Sequence, residues 1–541
     1  MKKWRVIIAL ASAQFVMVLD GTVMNVSINE VVQDLDTTVT KMQLAITLYT
    51  LTMASLMMVG GKIGDVIGRR RAFRIGLVIF ATGAGITAAA PNITILMIGW
   101  SVLEGVGAAL MIPAIAALVA GNYKGRDRAA AYGVIGGIAG AAAASGPIIG
   151  GYVSTEFSWR YVFGAEVFIM AGLLLASVVI KEAPFQGDRR PKLDGVGAAL
   201  SISGLAIAVL GVVQSTDWGW IYPKGALTIG GTEITPFGFS VVPFLILAGI
   251  VLLGFFVLWE QRMTRLDRDP LIRLEMLKIP QLRAGLSVFA AMFMVLAGTF
   301  FVLPLYLEIV LGKDPLETGI QILPLSIGLF VVALGASRLS SRFSPKRIVR
   351  VGLLFMLAGA IALLASISST LDEPVFLGAM SFVGIGLGLL ASQLGNVNLS
   401  SVDEKRSSEA GGLQGTSQFL GSALGTAIIG SILLTGLTGA FDNNIENNPN
   451  LPPQVRTELS KKTEKGIPFI AGSSVESEAT KAGLSSEQAK ATAKAYDDAQ
   501  LTALKTALAA VATIVVAAFW FTRRLPATPM AAPSAAAAAA A

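Results

Sequence analysis

The 541-residue chain contains no cysteine and no histidine. The first absence excludes disulfides and thiolate-ligated metals; the second removes the side chain that most often moves protons near neutral pH. Any proton handling therefore falls to aspartate and glutamate. Charge is scarce too: charged residues make up 14% of the chain against 54% hydrophobic ones, and mean hydropathy is +0.68. That balance lies outside the range of soluble globular domains and makes a bilayer the expected solvent. No P-loop spacing, His/Cys cluster or nucleophile motif is present, so the common ATPase and metalloenzyme designs are excluded, and no metal or cofactor is expected.

What the chain does have is about 14 apolar stretches of the length needed to cross a bilayer as a helix. They cover 6 to 26, 42 to 61, 73 to 90, 93 to 121, 130 to 153, 160 to 180, 194 to 214, 239 to 259, 284 to 311, 318 to 337, 351 to 370, 375 to 399, 409 to 435 and 500 to 522. The net charge of +7 sits in short loops rather than on one face, which argues against a nucleic-acid partner. If both termini are cytoplasmic, the inner segments hold about 30 of the 42 Lys and Arg residues, the distribution expected of a multi-pass membrane protein. These segments include Arg69-Arg70-Arg71, "KGRDR" (124 to 128), "RRPK" (189 to 192), "RMTRLDR" (262 to 268) and "SPKRIVR" (344 to 350). The basic start is followed by no small-residue cleavage site, so the first apolar run is expected to stay as a helix.

One outer loop is long, residues 436 to 499, and reads as a solvated excursion. Ser485 and Gln488 have capping-box spacing, which predicts a short helix there leading toward the last span. The tail 525 to 541 ends in low-complexity alanine.

An internal repeat is visible. "KIGDVIGRRRAFRIGL" (62 to 77) aligns without gaps to "RLSSRFSPKRIVRVGL" (338 to 353), "SGPIIGG" (145 to 151) to "LGTAIIG" (424 to 430), and Gly105-Val-Gly107 to Gly384-Ile-Gly386. A six-helix unit therefore occurs twice in the same orientation, over 1 to 181 and 283 to 524, with two linking helices in 182 to 282. Parallel halves of this kind are a transporter architecture, with the substrate site at their interface near the midplane.

"GGKIGDVIGRRR" (60 to 71) lies between the second and third helices. Its glycines allow tight turns, and Asp65 and the arginines form an expected charged latch across the domain interface. Gly61, Asp65, Gly68, Arg69 and Arg70, extended by Arg71, match the signature G-x-x-x-D-x-x-G-R-K/R of the major facilitator superfamily. Gly146-Pro147 followed by Gly150-Gly151 resembles that family's fifth-helix antiporter motif. "LDGTVMNVSI" (19 to 28), "SWRYVF" (158 to 163) and "EAGGLQGTSQFLGSALGTAIIG" (409 to 430) resemble segments of its fourteen-helix drug:proton antiporter branch. The resemblance covers nearly the whole chain. It implies an all-α fold of two six-helix bundles plus two inserted helices. It also implies alternating-access, proton-driven export of amphipathic, cationic small molecules by a monomer in the cell membrane.

Two departures stand out. The family's fourth-helix motif R-x-L-Q-G reads here as Ser101, Leu103, Glu104 and Gly105: the arginine is gone and a glutamate replaces the glutamine. Glu166 stands where many relatives have asparagine.

An ionisable group within a bilayer is costly and turns toward a cavity or a partner. Glu104 lies about 11 residues from its helix end, roughly 16 Å and near the midplane. Asp20 and Glu166 count out to the outer half, so the acids are expected at different depths of one cavity. Asp20 and Glu104 are the expected proton carriers, with Glu166 assisting cation binding. In the second half the polar cavity candidates are uncharged: Gln393, Asn396, Asn398, Gln414 and Gln418. Glu308, near an outer helix end, is expected at the membrane interface.

Overall fold

The structure is a computed structural model that describes residues 4–123, 125–180, 192–223, 227–229, 232–266, 268–336, 339, 342–402, 407–449, 451–463 and 466–528. Lys124 of "KGRDR", residues 189 to 191 of "RRPK", Asp267 of "RMTRLDR" and most of the alanine tail lie outside this set.

Every expected span is a helix. They are α1 (Trp4–Val26), α2 (Val39–Ile67), α3 (Arg69–Ala88), α4 (Ile93–Leu96, a π-helical Met97–Glu104, then Gly105–Asn122), α5 (Gly125–Glu156), α6 (Arg160–Ala176) and α7 (Gly195–Trp218). The second group is α8 (Val242–Arg265), α9 (Pro280–Pro304, then a π-helical Leu305–Val310), α10 (Pro315–Ala336), α11 (Pro345–Ser366), α12 (Glu373–Ser400), α13 (Ser407–Glu446) and α14 (Ser486–Phe521). Among the described residues, 13 helices are long and apolar enough to cross a membrane; the remaining expected span, 130 to 153, coincides with α5. The chain is a multi-pass membrane protein. A short hairpin, β1 (Leu227–Ile229) and β2 (Thr232–Ile234), joins α7 to α8.

Helix boundaries follow local chemistry. Thr38, Asn92, Asp194 and Asp372 cap α2, α4, α7 and α12 by accepting from main-chain amides three residues on, satisfying donors with no partner within the helix. Gly68 separates α2 from α3 at φ +104°, a conformation that costs a side-chain-bearing residue energy.

The two halves repeat each other in space. α1 packs on α5 as α9 packs on α13; α3 and α2 pack on α4 as α11 and α10 pack on α12. The glycines show the correspondence residue by residue. Gly105 abuts α2 and Gly107 abuts α3, while Gly384 abuts α10 and Gly386 abuts α11. The halves meet through α5 on α10 and α2 on α13, and α7 lies against both α2 and α13.

With 14 alternating spans, the start of α1 and the end of α14 share one face, called here the termini face; the other is the distal face. The 436 to 499 segment on the distal face is more ordered than a solvated loop. α13 runs on to Glu446, helices Pro453–Thr463 and Gly472–Lys481 follow, and α14 starts at Ser486. Both capping-box bonds of Ser485 and Gln488 are present, but the helix they start is continuous with the last span rather than a short separate one. Phe441, Ile445, Leu451, Phe469 and Tyr496 are buried here, and the Tyr496 hydroxyl donates to the Pro468 carbonyl at 2.6 Å. Enough apolar side chains converge to make a small core, which the Asn/Pro-rich local sequence obscured.

Candidate functional site

The N-terminal half is built around acids from three helices. Asp20 on α1, Glu104 on α4 and Glu166 on α6 are buried, with exposures of 0%, 0% and 1%. A carboxylate oxygen from each lies within 4.8 Å of one from each of the others. This corrects the expected separation in depth. Counting residues from helix ends ignores both helix tilt and the π-helical stretch that ends at Glu104.

The surroundings treat the three acids unequally. Tyr49 on α2 donates its hydroxyl to Asp20 Oδ2 at 2.6 Å, and Trp100 on α4 donates Nε1 to Asp20 Oδ1 at 2.8 Å. The two rings stack at 4.7 Å and 8°, fixing both donors. Thr87 on α3 donates to Glu104 Oε1 at 3.0 Å. Glu104 Oε2 and both Glu166 oxygens are buried without a hydrogen-bond partner. Tyr49, Trp100 and Thr87 were not singled out from sequence. The available signal was Trp100, one turn before Glu104 and polar at its indole edge.

Close packing makes room for Glu104. Gly83 and Gly99 face each other between α3 and α4, and a side chain added at Gly83 would meet Glu104 Cγ. In the second half the equivalent Gly359 is covered by Val383, so the same packing position carries an apolar side chain there.

Among the described residues, no ion pair reaches the three acids. Ser101, in the place of the family's arginine, donates to the Ala45 carbonyl at 2.7 Å. Arg160, six residues before Glu166, pairs instead with Asp34 at 2.8 Å and donates to the carbonyls of Ala88 and Ala90. Three carboxylates this close in an apolar surround cannot all be ionised without a compensating cation. Asp20, with two donors, is the one whose charge is best supported.

The motif on the termini face makes local contacts among the described residues. Asp65 pairs with Arg69 at 3.3 Å within its own segment, Arg70 reaches the Val178 carbonyl, and Arg71 is exposed. The reach toward the linker comes from Lys62, which donates to the Pro270 carbonyl at 3.1 Å. Gly61 faces Pro113, and Gly64 faces Ala72.

The fifth-helix motif is a two-sided joint. Gly146 and Gly150 lie against Thr22 and Val23 of α1, while Gly151 lies under the Pro315 carbonyl and the Pro147 carbonyl lies under Gly319 of α10. Nearby, the Leu316 amide donates to Thr155 at 3.3 Å and Ser326 donates to the Ala143 carbonyl at 3.3 Å. The pseudo-symmetric contact of α2 with α13 uses a side chain instead. Gln43 lies against Gly430, the counterpart of Gly151, and donates to the carbonyls of Thr426 and Ala427.

The second-half polar residues do not form an equivalent cluster. Asn398 and Gln393 are buried, Asn398 donates to Gln414 at 3.4 Å, and Gln393 donates to the Ala336 carbonyl. Gln414 and Gln418 are half-buried and Asn396 is exposed.

Comparison with known proteins agrees with this architecture. The family model "Major Facilitator Superfamily" matches residues 10–426. The chain is 30% identical over 470 residues to the "Probable actinorhodin transporter" of Streptomyces coelicolor, covering 85% of this chain and 77% of that one. It is 28% identical to the "Tetracenomycin C resistance and export protein" of Streptomyces glaucescens, covering 87% and 84%. It is 25% identical to the "Multidrug transporter protein MdtP" of Bacillus subtilis, covering 80% and 75%. Among solved structures, a bacterial homolog of the human lysosomal transporter Spinster, inward-facing and unoccupied, matches with TM-score 0.60 at 14% identity, covering 98% and 99%. The repeated six-helix halves, the signature glycines and arginines and these matches together place the chain in the major facilitator superfamily, among relatives that export antibiotics and other drugs.

Proposed function

We propose that the protein is a proton-driven antiporter that exports amphipathic, cationic compounds by alternating access, as a monomer with both termini cytoplasmic. The observation that carries this reading is the acid trio: three carboxylates, buried together, with no basic partner among the described residues. In the empty site, protons on Glu104 and Glu166 remove the charge that burial penalises, while Asp20 stays ionised against Tyr49 and Trp100. A lipophilic cation supplies the same compensation, so it and the protons compete for the trio. Competition of this kind couples proton entry to cation exit, with the gradient in place of a cofactor. The basic loops on the termini face support the orientation.

A second reading is a dedicated exporter of one metabolite or lipid that does not depend on proton coupling; two of the relatives are named for single compounds. A substrate panel in proteoliposomes with an imposed pH gradient separates the readings. Exchange of several cations, each lost when the gradient is collapsed, supports the first. Export that survives collapse refutes proton coupling, and a single accepted compound supports the second reading.

A further inference from the structure

Another acid in the bilayer region, outside the trio, is left unused by this scheme. Glu308 stands on the π-helical end of α9, only 4% exposed, with no donor at hydrogen-bond geometry to either carboxylate oxygen. This differs from its expected interfacial position, because another part of the chain covers it. The short helix Ile28–Asp34, from the N-terminal half, packs on Leu305–Val310 of the C-terminal half. Glu308 is thus buried by contact between the halves on the distal face.

Its charged neighbours are acids, Glu30 from the short helix and Asp314 from the turn before α10; the Asn29 main chain and the Thr318 hydroxyl are the polar groups nearest to it. The other charged groups of the packed elements are turned elsewhere. Asp34 pairs with Arg160, Lys313 lies 3.9 Å from Glu373, and Glu317 accepts from the Asp314 amide. α14 also packs on this stretch, with its Asp497, Asp498 and Lys505 exposed. A carboxylate faced by two acids, with no ion pair among the described residues and only the Asn29 main chain and the Thr318 hydroxyl as polar neighbours, is strongly disfavoured in that position, whereas a neutral carboxyl is not.

We propose that Glu308 is a second proton-binding site, separate from the acid trio, and that its proton permits the distal faces of the two halves to close. When the faces part, water reaches Glu308 and the proton returns to the distal side. The step is one proton binding to one carboxylate; no proton crosses the membrane through it. The distal gate is then sensitive to distal pH, closing on acidification. The inference requires a distal face that opens and closes, and it stands whether or not the trio carries protons.

The natural absence of cysteine allows a direct test. Spin labels on Gln33→Cys and Ser369→Cys, both exposed on the distal face, report the gate distance in proteoliposomes as distal pH is varied. The expected result is a short distance at low pH that gives way to a longer one as pH rises. In Glu308→Gln this change is lost and the short distance persists at all pH values. Glu30→Gln removes a facing acid, leaves Glu308 in place and moves the midpoint to lower pH. Glu308→Asp restores a titrating gate, which separates loss of the proton site from loss of folding. In a Glu104→Gln/Glu166→Gln background the pH response remains, so failure of the trio as a proton carrier reads out separately. A response that is absent in the parent protein, or that persists unchanged in Glu308→Gln, overturns the proposal.

Discussion

The main-chain carbonyl of Pro147 on α5 occupies the space where a side chain on Gly319 of α10 would stand, and four residues on, Gly151 receives the Pro315 carbonyl in the same way. The two antiparallel helices thus exchange a Pro-x-x-x-Gly contact across the domain interface. Close backbone approach of this kind needs small residues, and packing between helices in lipid rests on it because lipid tails offer no hydrophobic drive.

Gly151→Ala and Gly319→Ala are therefore expected to disfavour the closed distal face. An intruding methyl costs about 1–3 kcal/mol, roughly a 5- to 150-fold change in closed population. Gly164→Ala, on α6 with nothing within 4 Å, is the control and changes little. Distances between spin labels across the distal face, together with transport rate, check this; equal effects at Gly151 and Gly164 contradict it.

Glu166→Gln removes one of the two acids of the trio that have oxygens without donors. Loss of a charge-assisted contact of about 1.5–3 kcal/mol predicts a 10- to 150-fold weaker binding of a monocationic probe. Fewer protons are released per cation bound than in the parent protein. Calorimetry in buffers of different ionisation enthalpy measures both quantities, and unchanged proton release excludes Glu166 from the exchange.

Trp100→Phe keeps the stacking on Tyr49 but deletes the indole donor to Asp20. Asp20 loses about 1.5–3 kcal/mol of support for its charge, and the pH profile of exchange moves to higher pH. In the parent protein Trp100 emission should respond to cation binding, and the Asp20→Asn variant should lose that response. Fluorescence titration of the reconstituted protein tests this directly.

Burial raises the pKa of Glu30 above its ordinary 4.5, with Asp314 and Asp34 adding to the shift. The folded, distal-closed protein thus binds this proton more tightly than the unfolded chain. Its stabilising contribution is complete below 4.5 and is lost as pH rises through the raised value. Glu30→Gln should flatten the fall of Tm as pH rises above about 4.5 and raise Tm where Glu30 of the parent protein is ionised. Thermal unfolding in detergent over that range measures it; an unchanged slope contradicts the assignment.

Ser485→Ala breaks the capping box that starts α14 and should cost about 1 kcal/mol locally. Faster hydrogen exchange over the first turns of α14, with transport unaffected, is the expected result.

Much of this architecture was legible without coordinates. Apolar length set the number of helices, since a backbone in hydrocarbon must satisfy its own hydrogen bonds. The repeat of Gly105 and Gly107 at Gly384 and Gly386 gave the two halves, and the Ser485–Gln488 spacing marked a helix start. These are local or periodic signals, carried by residues close together in the chain. The acid trio is a different kind of fact. That Asp20, Glu104 and Glu166 stand on membrane helices could be read from the chain, but their meeting within 4.8 Å depends on how three helices cross. Helix tilt, a π-helical stretch and the small residues between α3 and α4 set that crossing. Arg160 shows the same limit: its sequence position puts it beside Glu166, and the fold sends it to Asp34. Glu308 looked interfacial because its own helix ends nearby; the approach of a helix from the other half contributes to its burial. Sequence determined which groups must find partners, and tertiary packing decided which partners they found, because burial and charge compensation act through space rather than along the chain.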